Sequence, residues 1–112
     1  MVRFVITLCM LCAAPALAHT RLVNSVPADK AELATAPKEV VLTFAESVVL
    51  TSLKVVSSDG TKTTLAPLPE TAIKEAHVPL PTLAPARYTL QWRATSDDGH
   101  VINGELTFTI KK

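Results

Sequence analysis

The 112-residue chain carries 11 basic and 10 acidic side chains, a formal net charge of +1, so it lacks the basic excess that capture of nucleic acid or an anionic membrane requires. Both cysteines, Cys9 and Cys12, and both methionines, Met1 and Met10, stand in the first twelve residues. Every residue beyond them is free of sulfur, which excludes disulfides and thiol chemistry from the rest of the chain.

Residues 1–18 read as a secretory signal peptide. Arg3 supplies the positive start, residues 4–14 the apolar run, and Ala16-Leu17-Ala18 the small-x-small pattern cut by signal peptidase. The apolar run is well short of the about 20 residues a membrane helix needs. Leu8 precedes Cys9 and Leu11 precedes Cys12, whereas a lipoprotein signal places a small residue there, so no lipid anchor is expected. Cleavage before His19 leaves residues 19–112 as one small soluble domain of balanced charge. The expected location is the periplasm.

Within that domain, period-two alternation marks half-buried strands at Val40, Leu42 and Phe44, then at Leu53 and Val55. Ser58-Asp59-Gly60 follows, an Asp-Gly turn joining residues 53–57 to 61–65 as a hairpin. Residues 73–78 alternate around His77. Tyr88, Leu90 and Trp92 face inward while Arg87, Thr89, Gln91 and Arg93 face water, and Leu106, Phe108 and Ile110 close the series. Residues 29–34 have helical leanings but are too short for more than a turn. Short strands with one apolar face, punctuated by Pro and Asp-Gly, predict an all-β protein of two sheets packed face to face. The aromatics Phe44, Tyr88, Trp92 and Phe108 are expected in its core.

Three histidines survive cleavage: His19, His77 and His100. A histidine at the new N-terminus offers two donors from one residue, because its α-amine and Nδ1 close a six-membered ring on a single metal. Reference pKa values of about 7.7–8.0 and 6.5 let both shed protons for a metal near neutral pH. Asp98-Gly99-His100 adds a carboxylate and an imidazole two residues apart, on one side of an extended backbone, with Gly99 free to bend. Amine, two imidazoles and a carboxylate suit tetragonal Cu(II), while Cu(I) prefers the sulfur ligands this domain lacks. Taken singly, His19 reads as a frayed terminus and Asp98 as a residue steadying its own loop. Asp97 is the neighbouring carboxylate that a one-residue register change would substitute for Asp98. His77, a lone strand histidine, is expected at the surface and outside any site.

The segments His19-Thr20 with Leu22, Ser25 and Pro27-Ala28, then Leu42-Thr43-Phe44-Ala45-Glu46-Ser47-Val48, Arg87-Tyr88-Thr89-Leu90-Gln91-Trp92-Arg93, and Ser96-Asp97-Asp98-Gly99-His100 with Gly104 and Phe108, resemble the CopC family of periplasmic copper-resistance proteins. The resemblance spans residues 19–112. It implies a seven-stranded Greek-key β-sandwich, immunoglobulin-like or cupredoxin-like in shape. It also implies one Cu(II) ion per chain, held by His19, Asp98 and His100. Glu46 matches the acidic residue of the family's Phe-x-Glu stretch, and the resemblance assigns it a supporting role beside the ligands. Some relatives carry a methionine-rich Cu(I) site that this chain does not have.

The implied function is a non-enzymatic copper buffer or carrier in copper homeostasis, with a CopD-type inner-membrane transporter as partner. Two other classes stay open on the residues alone. One is a small redox enzyme built on a histidine brace; the other is a metal-free immunoglobulin-like interaction module.

Overall fold

The computed structural model describes residues 22–112; the signal peptide expected over residues 1–18 and His19 lie outside the described residues. Seven strands follow in chain order: β1 (Leu22–Val26), β2 (Ala31–Leu33), β3 (Glu39–Ser57), β4 (Lys62–Thr64), β5 (Ile73–Pro79), β6 (Ala86–Ser96) and β7 (Val101–Ile110). The all-β sandwich expected from the alternating pattern is what forms.

The 19-residue β3 organises the whole fold because it belongs to two layers. Its first part pairs antiparallel with β1 on one side, Val26 opposite Val41 and Leu22 opposite Phe44. On its other side it pairs with β5, Val41 opposite His77. Its last part, from Val48 onward, pairs with β6 and, near its end, with β4, while Val48 keeps one further partner in β5, Ile73. From β6 the second layer continues through β7 to β2. Between the two parts, Ala45, Glu46 and Ser47 are exposed and mark a shift of register between Thr43 and Val48.

Both parts of β3 feed the same core. Val40, Leu42 and Phe44 are buried from the first, and Val48, Leu50, Leu53 and Val55 from the second. The buried positions are even up to Leu50 and odd from Leu53, and the switch has a local cause. Leu50 pairs with Ala94 and Ser52 with Arg93, so Thr51 is the extra residue of a β-bulge that turns the following side chains to the other face. Opposite them, Tyr88, Leu90, Trp92 and Ala94 of β6 and Leu106, Phe108 and Ile110 of β7 complete the core. Its aromatics form two pairs, Phe44 edge-on to Trp92 at 5.3 Å and Tyr88 stacked on Phe108 at 5.5 Å. The Tyr88 hydroxyl donates to the Ala84 carbonyl at 2.6 Å, so this buried ring keeps its polar end satisfied.

Residues 29–34 depart from their helical leaning. The chain turns at Lys30, whose φ is 68°, and Ala31–Leu33 then pairs parallel to Phe108–Ile110. Long-range contacts decide this. Lys30 N–H donates to the Thr107 carbonyl at 2.6 Å, and Thr107 N–H donates to Asp29 Oδ1 at 2.9 Å.

Gly104 lies opposite Trp92, and a Cβ placed there would meet the indole ring at 2.8 Å. That ring is 7% exposed and already packs edge-on against Phe44. Gly104→Ala should therefore destabilise the domain by about 1–3 kcal/mol through overpacking, seen as a lower urea midpoint followed by the fluorescence of Trp92.

Candidate metal centre

The turn between β6 and β7 is Ser96-Asp97-Asp98-Gly99-His100, and its main chain closes on itself. Ser96 N–H donates to the His100 carbonyl at 2.9 Å, and Gly99 N–H donates to the Ser96 carbonyl at 2.9 Å. Gly99 has φ 87°, a left-handed conformation that favours glycine, as in three-residue hairpin loops. A Cβ at Gly99 would meet nothing within 4 Å, so conformation and not space sets the requirement.

Within this turn Asp98 Oδ1 gathers its neighbours. The Ser96 hydroxyl donates to it, His100 N–H reaches it at 3.3 Å, and His100 Nδ1 stands 2.9 Å away. These donors, the Ser96 hydroxyl foremost and His100 next, lower the Asp98 pKa to about 2. Its ionised form is stabilised, and that contribution is lost only as pH falls from 3.8 toward that value. Among the described residues every hydrogen bond to this carboxylate lands on Oδ1. Oδ2 carries none of them, so Asp98 can steady its loop with one oxygen and offer the other to a cation. Both side chains are more than half exposed, open to an ion arriving from solvent.

Asp97 makes no hydrogen bond or ion pair among the described residues, so the carboxylate turned toward His100 is that of Asp98. Glu46 lies in the exposed stretch between Phe44, opposite Leu22, and Val48, opposite Ser96. The register therefore carries Glu46 to the same end of the sandwich as the turn. Asp98 and His100 are two donors, and among the described residues no group of three or more His, Cys, Asp or Glu side chains is arranged to hold a metal. The remaining member of the expected set, His19, is outside the described residues. A groove of about 490 Å³ runs past Lys54, Gln91, Arg93, Asn103 and Glu105; neither Asp98 nor His100 lines it.

His77 sits apart, on β5, half exposed between two carboxylates. Its Nε2 is 2.7 Å from Glu75 and its Nδ1 3.4 Å from Glu39. Hydrogen bonds that the imidazole donates, first to Glu75 and then to Glu39, raise its pKa above the ordinary 6.5. The stabilisation this gives is fully present below pH 6.5 and disappears as pH rises through the elevated value. Titration followed by NMR should place the His77 imidazole above 6.5 in the folded protein, and Glu75→Gln should bring it back toward 6.5.

A family model described as the CopC domain matches residues 22–111. Copper resistance protein C of Pseudomonas syringae pv. tomato is 33% identical over 118 residues, covering 91% of this chain and 88% of that protein. Among solved structures, CopC from Methylosinus trichosporium OB3b superposes with a TM-score of 0.73 at 28% identity, covering 83% of this chain and 94% of that one. PcoC, described as a methionine-rich copper resistance protein from Escherichia coli, gives a TM-score of 0.65 at 32% identity, covering 84% of this chain and all of its own.

Proposed function

Since the chain belongs to the CopC family of copper-resistance proteins and is a copper-binding protein, we propose that it holds one Cu(II) ion per chain through His19, Asp98 and His100, as a periplasmic buffer or carrier without turnover. The observation that carries this reading is the 2.9 Å between Asp98 Oδ1 and His100 Nδ1. The β6–β7 turn thus holds a carboxylate and an imidazole side by side at an exposed surface, and Asp98 Oδ2, which carries none of the loop's hydrogen bonds, is the oxygen it offers a metal.

The start of the chain supplies the rest of the set. Leu22 pairs with Phe44 in one layer, and Val48, four residues along the same strand, pairs with Ser96 in the other. His19 stands three positions before Leu22, a reach of about 10 Å that matches the roughly 10 Å between packed sheets. Glu46, between those two ladders, is proposed to orient the ligands by hydrogen bonding. PcoC is described as methionine rich, whereas both methionines of this chain fall in residues 1–18. The mature protein would therefore serve Cu(II) and lack a sulfur site for Cu(I). Delivery to a CopD-type inner-membrane transporter follows the family pattern.

Titrating the mature protein with Cu(II) against a competing chelator tests the reading. One ion bound far more tightly than micromolar is expected, and micromolar or weaker binding would contradict it. Ascorbate and copper should yield no more hydrogen peroxide with the protein than free copper does. Sustained production above that level would instead make it a redox enzyme.

A further inference from the structure

The Ser-x-Asp-Gly turn occurs twice. At the β3–β4 hairpin, Ser57 N–H donates to the Thr61 carbonyl and Gly60 N–H to the Ser57 carbonyl, both at 2.9 Å. The Ser57 hydroxyl donates to Asp59 Oδ1, which also accepts Thr61 N–H at 3.0 Å, and Gly60 has φ 93°. Each of these bonds has its counterpart in the β6–β7 turn. The one chemical difference at the end of the motif is Thr61 in the first turn and His100 in the second.

The comparison separates two jobs within the motif. In both turns the main chain closes through two bonds that do not involve the serine hydroxyl. That hydroxyl instead fixes the carboxylate. At Ser96 it holds Asp98 Oδ1, with the His100 carbonyl as a second acceptor at 3.3 Å. Without this anchor the exposed aspartate is held only by His100 itself, through its N–H at 3.3 Å and its Nδ1 at 2.9 Å, so the carboxylate moves with the imidazole it should be held against.

We propose that Ser96 is a positioning residue of the metal centre, whose hydroxyl pins Asp98 Oδ1 so that the carboxylate and the His100 imidazole are presented together. This rests on the Cu(II) reading above. The turn at Ser57 is the same scaffold without an imidazole, and so provides a control inside the same molecule.

Cu(II) titration against a chelator, paired with electron paramagnetic resonance of the loaded protein, decides the matter. Ser96→Ala should weaken binding roughly 10-fold or more, within the range seen when partners of metal ligands are removed. It should also alter the copper spectrum, because the carboxylate no longer sits in one place. Ser96→Thr keeps a hydroxyl and should restore both readouts. Ser57→Ala loosens the equivalent turn and should change neither. Unchanged affinity and spectrum in Ser96→Ala, or equal losses in Ser96→Ala and Ser96→Thr, would overturn the positioning role while leaving Cu(II) binding by the wild type intact. Failure of the wild type itself to bind Cu(II) would overturn the function and this role together.

Discussion

Replacing His100 with alanine should lower Cu(II) affinity by roughly 100-fold or more, because it removes a proposed ligand and not merely a partner of one. After the change, the donors left in the proposed set are the amine and imidazole of His19 and the carboxylate of Asp98. The carboxylate also loses the imidazole that stands 2.9 Å from it. Asp98→Ala should have an intermediate effect: three nitrogens remain, and water can complete the square. His77→Ala should leave affinity unchanged, since its imidazole is engaged by Glu75 and Glu39 on β5. Copper should be released as pH falls because protons compete for the nitrogen ligands. Asp98 stays ionised down to about 2 and does not set that release.

Phe44→Ala should be the most damaging change to the fold itself, costing about 3–5 kcal/mol out of a total stability that is typically about 5–15 kcal/mol. Phe44 is 2% exposed and meets Trp92 edge-on at 5.3 Å. It is also the last paired residue of β3 before the exposed stretch at residues 45–47 and lies opposite Leu22. Truncation leaves a void that the paired strands on either side cannot close. Thermal unfolding should move down by more than about 10 °C for a domain of this size, with Trp92 fluorescence shifted to the red. Copper acts in the opposite direction by mass action, about 2.7 kcal/mol at 100 times the Kd. Loading should therefore raise the melting temperature of the wild type and of Phe44→Ala, and raise that of His100→Ala little or not at all.

Much of the fold is written in period-two alternation. Val40, Leu42 and Phe44, Tyr88, Leu90 and Trp92, and Leu106, Phe108 and Ile110 are all buried as their spacing requires. The length of β3 was harder to see for a definite reason. Its apolar parity changes at the Thr51 bulge, and the exposed residues 45–47 interrupt the pattern, so one continuous strand looks like separate pieces. β2 left no mark in its own residues because its pairing depends on bonds to Thr107, far along the chain.

The site divides in the same way. Asp98-Gly99-His100 was visible as a donor pair next to a glycine, and the positive φ at Gly99 accords with that. The role proposed for Ser96 was not visible, because Ser-x-Asp-Gly occurs equally in a turn ending in threonine. Nor could spacing reveal that His77 meets Glu39, 38 residues away. That contact exists only through the register of β3 against β5.

The central claim is that a free His19 amine completes a site begun by Asp98 and His100. Two preparations test it most directly, one starting at His19 and one carrying a single extra residue before it, each titrated with Cu(II) against the same chelator. The account predicts tight binding of one ion by the first and a large loss of affinity in the second, whose terminal amine is displaced and whose His19 nitrogen is tied up in an amide. Equal affinity in the two preparations would contradict it.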